Sequence, residues 1–285
     1  MPTYRRAQLL ERAVESVLAQ TFTDFELLIV DDNVDGHPQQ LATSKVLQAR
    51  FSDQRLRYII NQGEHGGSGA RNAGIAEARG GYVAFLDDDE DWLPEKLAKQ
   101  VTLLDQAPAE VGVVDCGFFD YKADGSVRQA RPKMQGWILE RLLSKTGGRA
   151  PKLSTMLCRR EVFARVGVFD TTLPAREDYD LYLRISRHYQ FVSLPEPLSN
   201  KRSDAGQRLT GNPENFVKGF EGVYQKILPE LQRRPAIHAI YLLKHAEVLA
   251  KAGDKPQAWK KYHEAKRLRL FNPRLVTYGV KLLRS

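Results

Sequence analysis

Two short apolar runs, each ending in aspartates, constrain this chain more than any other feature. Phe25–Asp31 reads Phe-Glu-Leu-Leu-Ile-Val-Asp and is followed by Asp32, and Tyr82–Leu86 leads directly into Asp87, Asp88 and Asp89. A run that is apolar at nearly every position is the pattern of a strand buried on both faces of a parallel sheet. The segments around these runs have helical spacing instead. Leu9, Leu10, Ala13, Val14, Val17 and Leu18 predict an amphipathic helix over 6–20. Further helices are expected over 39–52 and 70–79, with Leu56–Asn61 a strand between them. Strands alternating with helices predict a doubly wound α/β sheet, in which ligands sit outside the carboxyl ends of the strands. Both aspartate groups fall at such ends.

The run Asp87-Asp88-Asp89-Glu90-Asp91 precedes a predicted helix over Pro94–Leu104. A helix start explains one acidic cap, but not five acids. Like charges packed at the end of a buried strand are costly unless a cation neutralises them. Mg²⁺ or Mn²⁺, held by one or two carboxylates together with substrate phosphates, suits such a cluster.

Beyond residue 105 the pattern changes. Val111–Asp115 and Thr155–Arg159 read as shorter strands, Glu161–Val166 as a short helix, and 177–188 as a helix whose first turn carries Glu177, Asp178 and Asp180. The remainder reads as purely helical. There Tyr241–Lys251, a turn at Ala252–Lys255 and Pro256–Arg269 form a hairpin that resembles a single tetratricopeptide-type unit through Ala246, Leu249, Gly253, Ala258 and Ala265. The expected division is therefore an α/β domain over 1–200 and a helical region over 201–285. Charge follows the same division: residues 201–285 hold 18 Lys/Arg against 7 Asp/Glu, whereas residues 1–200 hold 25 against 28. No apolar run approaches the ~18 residues of a membrane span. The two cysteines, Cys116 and Cys158, lack metal-ligand spacing, so neither a disulfide framework nor a zinc site is expected. The expected compartment is the cytoplasm.

Longer motifs carry a resemblance. Pro2-Thr3-Tyr4, the run from Ser16 to Asp32, Ala70-Arg71-Asn72-Ala73-Gly74-Ile75, the run from Phe85 to Leu97, and Arg176–Arg184 occur in order across about 180 residues. Together they resemble the inverting GT-A-fold glycosyltransferases of family two. The resemblance implies a GT-A-like doubly wound mixed sheet and a metal-dependent enzyme that moves a sugar from a nucleotide-diphosphate donor, a UDP-sugar first among them, to a hydroxyl acceptor. It implies that Pro2 and Tyr4 meet the nucleobase and ribose, that Asp32 accepts a hydrogen bond from the base, and that Arg71 faces the nucleotide. Asp88 then lies near the ribose, Asp89 at Mn²⁺ or Mg²⁺, and Asp178 is the general base, with Glu177 as its alternative. Implied partners are the nucleotide sugar and a saccharide or lipid-linked acceptor in cell-surface polysaccharide or glycolipid synthesis, not nucleic acid.

That chemistry has physical requirements. The diphosphate leaving group develops charge that a divalent cation stabilises. The acceptor hydroxyl is a poor nucleophile, so a carboxylate must take its proton as the new bond forms. Four further residues are candidates: Trp92 as a sugar-stacking ring or a helix anchor, Arg202 and Arg208 as diphosphate contacts, and His65 as a loop residue.

Two departures from the family pattern are expected to show in the structure. Members begin with an apolar strand before the Pro-Thr-Tyr loop, but here Met1 stands directly before Pro2. The first strand is thus expected to be missing, with the gap filled by upstream chain or by another segment. Arg5 also stands where Asn is common. The alternative to an active enzyme is a catalytically impaired sugar-nucleotide-binding or scaffold protein. In the tail, Trp259 and Tyr262 interleave with Lys260, Lys261, Lys266, Arg267 and Arg269. Such a helix suits peripheral contact with an anionic membrane at its inner face.

Overall fold

The computed structural model describes residues 1–145, 150–202 and 212–268. In chain order the elements are β1 (Pro2–Thr3), α1 (Ala7–Leu18), β2 (Leu27–Asp31), α2 (Pro38–Arg50), β3 (Leu56–Ile60), α3 (Gly67–Glu77), β4 (Tyr82–Ala84), β5 (Asp91–Trp92) and α4 (Lys96–Gln106). They are followed by β6 (Val111–Tyr121), β7 (Val127–Ala130), α5 (Leu139–Lys145), a 3₁₀ turn at Leu153–Thr155, β8 (Leu157–Arg159), α6 (Arg160–Val166), α7 (Glu177–Ser186), β9 (Gln190–Arg202), α8 (Pro213–Gln232), α9 (Pro235–Lys251) and α10 (Lys255–Leu268). The chain divides into two compact units. One comprises Met1–Ile138, Ala150–Thr171 and Leu181–Gly206; the other comprises Leu139–Arg149, Thr172–Asp180 and Gln207–Ser285.

The first unit contains both sheets. β1, β2 and β3 pair in parallel in that order, and the second sheet runs β4-β8-β6-β9-β5 with β7 on β6. Its directions are mixed, because β8 is antiparallel to β4 and β6 while β9 runs parallel to β6. The alternation predicts the parallel β1-β2-β3 part, and the mixed α/β fold as a whole is the one the resemblance implies. All five residues of β2 are buried, as an all-apolar run requires. One core joins Leu10, Val14 and Val17 of α1 to Ile29 of β2, Leu97 and Leu104 of α4, and Val114 of β6. The first strand is reduced to Pro2–Thr3, which pair with Val30 and Asp31.

The second unit is helical among its described residues. α9 and α10 form the expected hairpin, closed by Gly253 at φ +90° and capped by Asp254, whose carboxylate accepts from the Gln257 amide at 3.1 Å. Ala246, Leu249, Ala250 and Ala258 form its core, with Val217, Trp259 and Tyr262 packed against them. Trp259 meets Tyr262 edge to face at 5.4 Å, so these two rings are spent partly on the hairpin itself. Arg269 and the rest of the basic terminus lie outside the described residues.

Candidate active site

β2 delivers two adjacent aspartates to its carboxyl end, and the strand's alternation gives them different tasks. Asp31 is fully buried and serves the fold: its carboxylate accepts from the amide and side chain of Asn33, at 2.9 and 2.6 Å, and from the Tyr58 hydroxyl at 2.6 Å. Asp32 organises the glycine-rich loop. One of its oxygens accepts from Asn61 Nδ2 at 2.7 Å and lies 3.1 Å from His65 Nδ1, and the other accepts from the Gly66 amide at 2.7 Å. Gly66 has φ +101°, a conformation that favours glycine, and is the residue before α3. A Cβ on Gly69 would lie 1.7 Å from the Glu64 carbonyl oxygen, so the loop can fold this tightly only with glycine there. His65, read from sequence only as a loop residue, belongs to this site; its position in the loop before a helix was the available signal.

α3 carries Arg71 to the acidic loop, where its Nη2 donates to Asp87 at 2.7 Å while the guanidinium lies over Phe169. Asn72 fixes that ring's backbone by exchanging two hydrogen bonds with Phe169, at 2.8 and 2.9 Å. β1 joins the two halves. Thr3 accepts the Asp32 amide through its carbonyl at 2.9 Å and donates its hydroxyl to Asp88 at 2.9 Å. Pro2 sits in β1 and Tyr4 immediately after it, half-buried, with the Arg5 guanidinium 4.9 Å from its ring. Arg5 has φ +56°, the left-handed region in which Asn is favoured.

The five acids separate by burial and by partner. Asp88 turns inward; burial is the main cause that raises its pKa to about 6, against the Thr3 hydrogen bond and the Arg6 charge. Asp89 is more exposed and takes Arg6 Nη1 at 3.0 Å, the same nitrogen that lies 3.3 Å from Asp88. Asp91 is held by Asn200 Nδ2 at 2.5 Å, Arg202 Nε at 3.1 Å and Arg12 Nε at 3.3 Å, so it ties the loop to β9. Asp87, Asp89 and Glu90 remain together, with a carboxylate oxygen from each within 4.8 Å of the others. Burial, followed by the Asp87 charge, pushes the Glu90 pKa upward. Three hard oxygen donors gathered at a half-buried place are the chemistry that Mg²⁺ or Mn²⁺ takes. The residues present fit such an ion. Sequence reasoning named Asp89 alone, because the folding of the loop, not spacing, brings Asp87 and Glu90 beside it.

The turn at Leu153–Thr155 braces this loop from beneath. Trp92 Nε1 donates to the Ser154 carbonyl at 2.8 Å, and Lys96 Nζ lies 4.0 Å from the centre of the Trp92 ring. Trp92 is 6% exposed. It is therefore the helix anchor and is not placed to stack on a sugar. Arg202 is engaged by Asp91 and lies 4.6 Å from the Tyr121 ring. Arg208 lies outside the described residues.

Glu177 and Asp178 belong to the second unit. The residue before them, Arg176, has φ +64° and sets its guanidinium 4.4 Å from the Tyr179 ring and 4.6 Å from that of Phe220. A Cβ on Gly219 would lie 2.2 Å from the Ala175 carbonyl oxygen, so α8 packs directly on this segment. Asp180 is buried against Lys226 Nζ at 2.9 Å, and the Tyr179 hydroxyl donates to the Leu142 carbonyl at 3.0 Å. Asp178 is half-buried, and one of its carboxylate oxygens accepts the Tyr179 amide at 2.6 Å. The neighbours on both sides of the Glu177-Asp178 pair are thus locked into packing.

Residues 1–167 match the family model described as glycosyl transferase family 2. The chain belongs to that family. It is a glycosyltransferase with a GT-A fold. Among its relatives is the amylovoran biosynthesis glycosyltransferase AmsB of Erwinia amylovora, 30% identical over 210 residues that cover 70% of this chain and 67% of AmsB. Among solved structures, S. aureus TarS 1–349 in complex with UDP shares the fold at 18% identity and a TM-score of 0.65, covering 99% of this chain and 86% of that one. The mannosyltransferase PcManGT from Pyrobaculum calidifontis, in complex with GDP-Man and Mn²⁺, does so at 20% identity and a TM-score of 0.57, covering 99% and 85%.

Proposed function

We propose that this glycosyltransferase moves a sugar from a nucleotide-diphosphate donor, a UDP-sugar first among them, to a hydroxyl acceptor, with inversion and with a divalent cation. The observation that carries the reading is the meeting of Asp87, Asp89 and Glu90 within 4.8 Å, with Asp87 tied through Arg71 to α3 and the adjacent Asp88 tied through Thr3 to Asp32. The complexes of the two fold neighbours, one with UDP and one with GDP-Man and Mn²⁺, support the choice of donor and ion. The amylovoran biosynthesis named for AmsB supports a biosynthetic role, and in this reading the acceptor is a saccharide or lipid-linked group in polysaccharide or glycolipid assembly.

In this reading Pro2, Tyr4 and Asp32 receive the nucleoside, with His65 at the rim beside Asp32. Asp88 faces the ribose while Thr3 and Arg6 hold it. Asp87, Asp89 and Glu90 would hold the cation, which supplies electrostatic stabilisation of the leaving diphosphate. Arg71 is released from Asp87 as the diphosphate arrives and gives its charge to a phosphate oxygen. The acceptor oxygen attacks the anomeric carbon as the carbon–oxygen bond to the diphosphate breaks, and Asp178 takes the hydroxyl proton. Glu177 is the alternative base. A single in-line displacement inverts the anomeric centre.

Proton NMR of the product tests this directly. An α-linked nucleotide sugar is expected to yield a β-linked product; an α-linked product would overturn inversion. We place the enzyme in the cytoplasm, at the inner face of the membrane; no described helix is long and apolar enough to cross a membrane.

A further inference from the structure

Among the described residues, Arg5 and Arg176 are the two that hold a positive φ without being glycine. Arg176, at φ +64°, breaks a second local rule as well. Its carbonyl accepts the Asp180 amide at 3.0 Å, which makes it the residue that opens α7. That position favours Ser, Thr, Asp or Asn in an extended conformation, with a side-chain oxygen that accepts a backbone amide. An arginine side chain has donors only, and its Cβ crowds the following carbonyl in the left-handed region. Two departures from local preference at one residue persist only where the surrounding structure holds them, and such positions cluster at functional sites. The next two residues are Glu177 and Asp178.

The second unit supplies that hold. The Arg176 guanidinium lies 4.4 Å from the centre of the Tyr179 ring, 4.6 Å from that of Phe220 and 5.7 Å from that of Phe216. One ring therefore comes from the first turn of α7 and two from α8. The box is itself fixed. Phe220 is fully buried and packs on Tyr241 of α9 at 5.0 Å, while the Tyr179 hydroxyl is tied to the Leu142 carbonyl. Ring faces attract a cation most strongly where water is kept from it. The α8 backbone at Gly219 presses on the Ala175 carbonyl just before Arg176, and Lys226 of α8 holds Asp180 just after the acidic pair. Helix α8 thus grips the start of α7 at three points, with Glu177 and Asp178 between them.

We infer that Arg176 is a positioning residue: the aromatic box clamps its guanidinium, the clamp holds the left-handed backbone, and that backbone aims the Glu177-Asp178 carboxylates at the acceptor hydroxyl. The inference rests on the reading of this pair as the general base. The dihedral angles of the residue that opens a helix set the direction in which the next two side chains leave it. A base must stand within hydrogen-bond reach of the proton it takes, and a displacement of about 1 Å can cost about 10² in rate. Arg176 acts only through its neighbours. The helices α8 and α9 thereby share in the transfer step through the rings that they place around one cation.

Arg176→Gly separates the backbone from the clamp, because glycine adopts a positive φ freely but offers the box no cation. UDP release is measured with the UDP-sugar and acceptor that the wild type turns over. Arg176→Gly is expected to lower kcat about 10–100-fold, with the donor KM within about twofold of the wild type. The loss is expected to vanish where the base is already gone: added to Asp178→Asn, or to Glu177→Gln if that is the crippled variant, Arg176→Gly slows the enzyme no further. A residue that only supports the fold would show its loss in both backgrounds. Wild-type kcat in Arg176→Gly, a loss carried by the donor KM, or equal losses in the two backgrounds overturns the proposal. If circular dichroism shows that Arg176→Gly does not fold, Arg176→Gln, which keeps a polar stem without the charge, takes its place under the same expectations. A crippled Asp178→Asn or Glu177→Gln beside an unimpaired Arg176→Gly removes the positioning role alone. Wild-type kcat in both Asp178→Asn and Glu177→Gln shows instead that the base reading has failed, and overturns the proposal with it.

Discussion

Replacing Asp32 with Ala removes the carboxylate on which the glycine-rich loop is assembled. The side chain is 9% exposed, and three groups converge on it: Asn61 Nδ2 at 2.7 Å, the Gly66 amide at 2.7 Å and His65 Nδ1 at 3.1 Å. Asn61 keeps a second acceptor in the Glu64 carbonyl at 2.8 Å, so the main loss falls on the Gly66 amide and the placement of His65. One orphaned donor and one lost charged hydrogen bond together are worth about 2–4 kcal/mol. We expect about half of this to appear as weaker nucleotide binding, a rise in Kd of about 5–30-fold for UDP, and the remainder as a Tm lower by about 3–8 °C. Isothermal titration with free UDP and with uridine reads the first quantity, and thermal denaturation reads the second. Asp31→Asn is the control. Its neighbour's bonds to Asn33 and Tyr58 serve the fold, so that variant is expected to lose stability while the folded fraction binds UDP as before. Unchanged UDP affinity in Asp32→Ala, or equal loss in both variants, would refute the assignment of Asp32 to the nucleoside.

Asp178→Asn is expected to lower kcat by about 10²–10⁴ with donor affinity retained; if Glu177→Gln is the crippled variant instead, the base is the neighbour. Stability should depend on pH through Asp115, which burial raises from 3.8 to about 6 despite its hydrogen bond from Thr155. Because the unfolded chain loses this proton first, stability falls as pH rises from about 4 to 6, by about 3 kcal/mol for this group. Asp115→Asn should flatten that part of a chemical-denaturation profile, and an unaltered slope would contradict it. Charge reversal at the exposed Lys260, Lys266 and Arg267 should abolish salt-sensitive co-sedimentation with anionic vesicles, each cation contributing about 1 kcal/mol. Equal binding of the wild type to neutral and anionic vesicles would remove the electrostatic model.

The sequence displays the nucleotide half of the site plainly because each element there has one dominant signal. β2 and β4 are apolar runs, α1 has a clean apolar stripe, and their aspartates lie at strand ends by the geometry of the sheet. β9 was not legible. Gln190–Arg202 contains Pro195 and Pro197 and pairs with β6 through register shifts around Gly117, so it shows neither an apolar run nor strict alternation. With β9 unseen, the partnership of Asp91 with Asn200 and Arg202 could not be read, and nothing marked Asp91 as the structural member of the acidic run. Three-dimensional folding of the loop divides them. Trp92 was ambiguous for a similar reason, since its burial depends on Ser154 and Lys96 rather than on local pattern.

The central claim is that Asp87, Asp89 and Glu90 hold the cation on which sugar transfer depends. Its most direct measurement is UDP release from a UDP-sugar and acceptor as Mn²⁺ is titrated into metal-free protein, for the wild type and for Asp89→Ala. The account predicts saturable activation of the wild type, loss of activity on adding chelator, and little activity of the variant at any Mn²⁺ concentration while its circular dichroism matches the wild type. Full wild-type turnover in excess chelator, or wild-type Mn²⁺ dependence in Asp89→Ala, would contradict it.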